Sequence, residues 1–427
     1  MEGGNNMIKT LVISPIFTRS GYGEHGRFIV NALSSQPDVF DLHVHPIHWG
    51  LSSWISETHP NVKHYEELTI KKELNQDPYD LVIQVTVPGE WATYASRYPG
   101  KCNIGITAGV ETDRIPSSWL EPCGIMDHII FTSKHTKDGF TKPTFKFKAK
   151  NSDDIIKRKG ISTSSEVIGY PAKSLTPCDL SDKISLSTEY NFLTISQIAP
   201  RKGVENLVNW FMEEFQNENV GLVAKLHHGN NSNHDAEMLR HNVFKPLKQK
   251  FPDAKCKIHW IHGSMSEAEI HGLYLHPQIH SYISTTHGEG FGLPIYEAAY
   301  SGMPVCVTGW SGHLDFLKMP TSSGKKYKNM YEKIKSEIRE IHEGAVMEGI
   351  IEPGMKWAHC DKVSAKKAMR NMINARAAKK AQAQQLQQYL HQNFSEKIQF
   401  EKVCNACKKT YNEKVSWTKE VEEVSVI

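Results

Sequence analysis

The stretch His287-Gly288-Glu289-Gly290-Phe291-Gly292-Leu293-Pro294-Ile295-Tyr296-Glu297-Ala298-Ala299-Tyr300-Ser301-Gly302-Met303-Pro304 directly follows a short apolar run, Ile279 to Thr285. Pro294 suits the first position of a helix, where its missing amide proton is not needed, and Gly302 suits the left-handed residue just past a helix end. The pattern predicts a strand, a glycine loop and a short helix from Pro294 to about Tyr300. The glycines let backbone close on a ligand, and the free amides and dipole of a helix start favour a phosphate, so the joint reads as a diphosphate cradle. Glu289 in the loop and Glu297 one turn into the helix stand eight residues apart on either side of it. Carboxylates there accept hydrogen bonds from sugar hydroxyls, and a nucleotide sugar uses both at once. A glycine loop with two ordinary surface glutamates is the rival reading.

Outward from this joint the same alternation recurs. Residues 8 to 14 form a β-branched run followed by Ser20-Gly21-Tyr22-Gly23 and a helical stretch from Glu24 to Leu33. Strand-like runs continue at Asp41 to Ile47, Asp80 to Thr86, Cys102 to Thr107, Asp127 to Thr132 and Glu166 to Tyr170. After a polar, proline-containing break between Tyr170 and Asn191 the pattern restarts, with strands at Asn191 to Ser196, Gly221 to His227, Cys256 to Ile261 and Ile279 to Thr285. Strands alternating with helices predict parallel sheets covered on both faces, and the repetition predicts an α/β chain of two Rossmann-like domains. The domain ranges read from the sequence are 1–180, then 181–395 with a charged, irregular surface insertion near 321–355, then a tail, 396–427, packing back on the N-terminal domain. Asp361 to Gln392, rich in Ala, Gln, Lys and Arg, reads as one long solvated helix.

A chain of 427 residues with 39% hydrophobic and 23% charged residues supports two cores and excludes a disordered or membrane-embedded protein. Neither a secretion signal nor an apolar run of spanning length is read, so a cytoplasmic protein is expected. Eight cysteines without a dense framework fit reduced thiols, and the lone C-x-x-C pair, Cys404 and Cys407, reads as two thiols near a helix, with no metal. The net charge of +3 demands no polyanionic partner but hides a local cluster: residues 142–159 interleave lysines with Phe145 and Phe147. That stretch reads as a solvated loop or as a nucleic-acid contact.

The run Glu289 to Glu297 resembles the E-x7-E motif of the retaining glycosyltransferases with the GT-B fold, most nearly family 4, and the likeness continues through Gly302, Pro304, Gly309, Gly312 and His313. The resemblance implies two Rossmann-like domains with parallel sheets facing across a cleft, the N-terminal one holding the acceptor and the C-terminal one the nucleotide-sugar donor. It implies that Glu289 contacts the donor sugar, Glu297 holds the ribose, and backbone at Gly290, Phe291, Gly292 and Leu293 binds phosphates, with His287 beside them. Gln197-Ile-Ala-Pro200-Arg201-Lys202-Gly203 is similar to the family's cationic segment. Lys202 falls on its lysine; Gln197 stands at its arginine, with Arg201 as the substitute. In the N-terminal half, Val110-Glu111-Thr112-Asp113-Arg114-Ile115-Pro116 followed by Trp119 resembles a "W-E-T-D, I-P, W" stretch of one branch, which implies that Glu111 and Asp113 position or deprotonate an acceptor hydroxyl. Ion pairing with Arg114 is the alternative. Gly21 and Gly23 match the family's glycine loop after the first strand, and a tight turn without ligand explains them too.

The reading is a retaining hexosyl- or other glycosyltransferase that uses a nucleotide-diphosphate sugar, needs neither metal nor further cofactor, and has a glycan or polysaccharide as acceptor. Two alternatives stand beside it: a phage-type enzyme glycosylating hydroxymethylated bases in DNA, and a non-catalytic module binding nucleotide or nucleic acid. Oligomeric state is not readable.

Overall fold

The computed structural model describes the chain apart from residues 1–6, 51, 56, 58, 71–77, 149–153, 172–176, 230, 322 and 425–427, and the backbone alone of 419–424. It divides into two compact units. Unit 1 comprises Met1–Pro171, Met347–Glu352 and Glu396–Ile427; unit 2 comprises Ala172–Val346 and Pro353–Ser395.

Unit 1 is built on six strands: β1 (Ile8–Ser14), β2 (Phe40–Pro46), β3 (Tyr79–Val85), β4 (Gly100–Thr107), β5 (His128–Phe131) and β6 (Ser165–Val167). All neighbours are parallel, in the order β2-β1-β3-β4-β5-β6. A parallel sheet is covered on both faces, which is why β1 and β3 carry unbroken apolar runs such as Leu11-Val12-Ile13 and Leu81-Val82-Ile83, all without solvent exposure. Helix α1 (Gly21–Ser34) follows β1 and is capped by Ser20, whose hydroxyl accepts the Gly23 amide at 3.0 Å. Gly21 and Gly23, read as loop glycines, thus lie in the first helical turn, because the cap starts the helix three residues before the apolar periodicity does. The buried Arg27 guanidinium donates to the carbonyls of Ile16 and Thr18 and to Glu24 at 2.6 Å, pinning the loop after β1.

Unit 2 repeats the plan with β7 (Tyr190–Gln197), β8 (Val220–His227), β9 (Lys257–Ile261), β10 (Ser281–Ser284), β11 (Val305–Thr308) and β12 (Glu332–Ile334), all parallel, in the order β9-β8-β7-β10-β11-β12. Helix α2 (Val204–Phe215) presents Leu207, Val208, Phe211 and Phe215 to Phe192 and Leu222 of the sheet. Helix α3 (Leu293–Tyr300) follows β10. The stretch near 321–355, read as an irregular surface insertion, instead supplies β12, the sixth strand of the sheet, with Ile334 fully buried, and the strands Tyr327–Asn329 and Ser336–Glu340, which pair antiparallel with Lys318–Pro320 and Lys356–Cys360 flanking it. A three-residue edge strand with two charged residues leaves no alternation to read. The long solvated helix is corrected as well. It is two helices, α4 (Lys362–Asn374) and α5 (Arg376–Asn393), parted at Ala375. α4 buries Ala365, Ala368, Met369 and Met372 in the unit 2 core.

The last helix, α6 (Glu396–Val424), belongs to unit 1. Val403, Cys404 and Cys407 are buried along it, the Cys404 thiol donates to Ala32 O at 3.1 Å, Phe400 stacks on Phe28, and Lys414 pairs with Asp127 at 2.8 Å. Within Met347–Glu352, Gly349 O accepts from Trp119 Nε1 at 3.0 Å, and Ile350 and Ile351 pack on the cluster around Trp119 and Phe140. No helix among the described residues is long and apolar enough to cross a membrane.

Candidate active site

In an open parallel sheet, ligands bind beyond the carboxyl ends of the strands where the strand order reverses. In unit 2 that point lies between β7 and β10, so the segments that meet there are the loop after β7, Ile198 to Gly203, and the loop after β10, Thr285 to Gly292. The two are locked together by backbone. Thr285 Oγ1 donates to Gly203 O at 2.8 Å, and the His287 amide donates to Arg201 O at 2.7 Å. Gly203 has φ +61°, and a Cβ on it would meet Thr285 O at 2.6 Å, so this close approach requires glycine.

The contact thus made brings Glu289 onto both cations of the first loop, 87 and 88 residues away in sequence. Lys202 Nζ donates to Glu289 Oε1 at 2.6 Å and Oε2 at 2.9 Å, and Arg201 donates to Oε2 at 3.3 Å and to Gly288 O at 2.6 Å. Burial opposes ionisation of this carboxyl, but Lys202 and then Arg201 outweigh it and hold the group down to about 2. Gln197, at the strand end, is exposed. The Glu289 amide donates to Ser311 Oγ at 2.9 Å, and the Ser311 hydroxyl lies 3.3 Å from His313 Nδ1. His313 Nε2 donates to Thr308 O at 2.8 Å, which leaves Nδ1 of the neutral ring as an acceptor. Ser311 has φ +88°, a conformation a residue with a side chain rarely adopts.

Next to this cluster α3 begins. Gly292 occupies its N-cap with φ +93°, Pro294 lies in its first turn, and no side chain caps its amide end. Phe291 is buried against Tyr296 and Phe316, fixing the loop before the helix. Glu297 is half-buried and accepts from the Tyr274 hydroxyl at 3.0 Å. Burial foremost raises the Tyr282 hydroxyl well above its ordinary range, and the negative charges of Glu289 and Glu297 add to it, so both carboxylates act on the same side chain of β10. His287 is buried. Its Nδ1 donates to Ala358 O at 2.6 Å, its ring stacks on Trp357 at 4.9 Å with 8° between planes, and His359 lies 4.6 Å away. Burial keeps its ring neutral by lowering its proton affinity.

In unit 1 the corresponding reversal lies between β1 and β3. Tyr22, one residue into α1, places its hydroxyl 2.8 Å from Thr107 Oγ1 and accepts the Ala108 amide at 3.2 Å, at the end of β4. Burial raises the Tyr22 hydroxyl, and the nearby charges of Glu111 and Glu90 add to it. Asp113 and Arg114 lie 3.6 Å apart, both partly exposed, which is the ion-pair geometry. Glu111 is half-buried. Gly23 has a packing reason of its own: a Cβ there would lie 2.1 Å from Thr18 O.

Motif reading singled out neither Ser311, Tyr274 nor Glu90. Ser311 leaves no signal, since its strain is a backbone angle; the run Met355-Lys356-Trp357 resembles the family's tryptophan before a helix, but the stack of Trp357 on His287 is non-local and could not be read from it.

The chain has the GT-B fold, with two units each built on a six-stranded parallel sheet. It is similar over 95% of its length to a glycosyltransferase from Rickettsia africae, covering 99% of that chain at 15% identity with a TM-score of 0.61. It is similar over 95% to the sucrose-phosphate synthase of Thermosynechococcus elongatus, covering all of that chain at 12% identity and TM-score 0.60. It also matches Anabaena HepE, crystallised with UDP and glucose, over 94% of this chain and 100% of that one, at 12% identity and TM-score 0.56. No protein-family model and no curated protein matches the sequence.

Proposed function

We propose that the chain is a retaining glycosyltransferase of the family 4 kind, moving a sugar from a nucleoside diphosphate sugar to an acceptor hydroxyl. The observation that supports this most is the Glu289 carboxylate held by Lys202 and Arg201 at the strand-order reversal of unit 2, beside the uncapped start of α3. Lys202, Arg201 and the amides of Gly292 and Leu293 receive the diphosphate; Glu289 faces the sugar, and Glu297, oriented by Tyr274, holds the ribose. In the reaction the bond from anomeric carbon to diphosphate oxygen breaks, its electron pair leaving with the diphosphate. The acceptor oxygen bonds to the same face of that carbon and passes its proton to the departing oxygen. Lys202 and Arg201 stabilise the charge that develops there, so the reading calls on no metal ion. Glu111 and Asp113 of unit 1 are assigned to the acceptor, with Gly21, Gly23 and Tyr22 shaping the floor beside them. A glycan acceptor rests on the resemblance alone, and the basic hairpin of unit 1 favours a different carrier, argued below.

The test is release of nucleoside diphosphate from a panel of nucleotide sugars without acceptor. UDP sugars come first, since HepE holds UDP and glucose. One donor is expected to give signal, and Glu297→Ala and Lys202→Ala are each expected to lower it at least about 100-fold. Wild-type rates in both variants would remove the site; no release from any donor would leave a binding module in its place.

A further inference from the structure

The stretch 142–159 contains two strands, Thr144–Lys148 and Ile155–Lys159, paired antiparallel. Residues directly opposite share a face, so the register sorts the ribbon into two sides. On one side Phe145, 7% exposed, and Phe147 pack on the cluster around Trp119 and Phe140, which anchors the ribbon. On the other side Thr144 faces Lys159, Lys146 faces Lys157 and Lys148 faces Ile155, and every one of these residues is exposed. Neither Lys146, Lys157 nor Lys159 has an acidic partner within ion-pair distance among the described residues, whereas the neighbouring Lys142 pairs at 2.7 Å with Asp138, which it shares with Lys134.

Like charges directly opposite each other destabilise a ribbon, so the Lys146–Lys157 pair is not there to hold the fold together. What the arrangement supplies is a rigid cationic face. Lysines two residues apart on a strand lie about 6.8 Å apart, and the two strands about 4.8 Å apart. A DNA duplex carries one phosphate charge per about 1.7 Å of its axis, a dense negative surface for such a cationic face, and a two-stranded ribbon fits the width of the major groove. A fluid lipid surface would call for an apolar stripe beside the charges, and this face offers only Ile155, 63% exposed.

We infer that the outward face of this ribbon binds duplex DNA along its phosphate backbone, through Lys146, Lys157 and Lys159. It rests on the transfer reading only in that the bound duplex would present the acceptor hydroxyl; the binding itself stands apart from that chemistry. The experiment measures binding of a fluorescein-labelled 20-base-pair duplex to the full chain by anisotropy between 50 and 200 mM salt. Three phosphate contacts give a slope of log K on log salt of about −2.7, a loss of about 40-fold across that range. Lys146→Ala/Lys157→Ala is expected to make the slope shallower by about 1.8, Lys146→Arg/Lys157→Arg to preserve it, and release of nucleoside diphosphate from the donor to be unchanged in both. An unchanged slope in the alanine variant, no binding at 50 mM salt, or tighter binding to vesicles containing phosphatidylserine than to the duplex would each overturn the inference. Loss of donor turnover in the wild type, by contrast, would count against the transfer reading alone.

Discussion

Removing the ammonium of Lys202 while leaving the Glu289 carboxylate is the perturbation that probes the site most directly. The Glu289 side chain is 11% exposed, and Lys202 reaches both of its oxygens, at 2.6 and 2.9 Å, where Arg201 reaches one at 3.3 Å. A carboxyl held at about 2 instead of 4.5 prefers its charged form by about 3 kcal/mol, at 1.36 kcal/mol per pH unit. Since Lys202 makes the shorter contacts, Lys202→Met is expected to destabilise unit 2 by about 2–3 kcal/mol at pH 7, in line with the cost of stranding a buried charge. In a Glu289→Gln background the same substitution is expected to cost less than about 1 kcal/mol, giving a coupling of about 2 kcal/mol. Because the folded carboxyl titrates below its unfolded counterpart, this stabilisation is complete above about pH 4.5 and fades as the pH falls toward 2. The assay is a double-mutant cycle by calorimetry and urea unfolding at pH 7 and pH 3, following the transition of unit 2. The coupling at pH 3 is expected to be less than half that at pH 7. A coupling under about 0.5 kcal/mol at neutral pH, or one that grows on acidification, would refute the assignment of Glu289 as a charged group held by its cations.

Two further tests bear on the scaffold. His25 is fully buried with neither ring nitrogen hydrogen-bonded among the described residues, and burial depresses it to about 3 from 6.5. The unfolded chain therefore binds the extra proton below pH 6.5, so wild type is expected to lose stability relative to His25→Leu as the pH drops from 6.5 toward 3, by up to about 4 kcal/mol; parallel curves of stability against pH would contradict this. Gly203→Ala combines a left-handed φ with a Cβ 2.6 Å from Thr285 O and is expected to lower the melting temperature and donor turnover together. Gly324→Ala, also at positive φ but with nothing within 4 Å among the described residues, is expected to cost only the backbone strain of about 1 kcal/mol and to leave turnover intact.

The parallel sheets are legible in the sequence because strands covered on both faces carry contiguous apolar runs; Leu11-Val12-Ile13 and Leu222-Val223-Ala224 announce themselves. β12 does not, because one buried residue, Ile334, decides it, and the break at Ala375 between α4 and α5 leaves no proline or glycine to mark it. In the candidate site, the glycine loop and the start of α3 are written in local chemistry, with Pro294 and Gly302 at the helix ends. That Lys202 and Arg201 should meet Glu289 is not local. It follows from β7 and β10 being neighbours at the reversal of strand order, a fact of the sheet and not of either segment. The same holds for Tyr274 on Glu297 and Trp357 on His287, whose partners are 23 and 70 residues distant. Ser311 lies beyond sequence reading altogether, since serine gives no sign that it will take φ +88°.

The docking of α6 on α1 orders events during synthesis. Phe28 and Ala32 are translated before unit 2 and receive Phe400 and Cys404 only after all of unit 2 has been translated. Unit 2 closes on contiguous chain apart from one excursion, whereas unit 1, begun earlier, waits with an uncovered apolar flank until α6 arrives. Nascent chains stalled shortly before Glu396 are therefore the species in which chaperone engagement and aggregation should concentrate, and a nick or truncation at that junction strikes the amino-terminal lobe, not the lobe in which it lies.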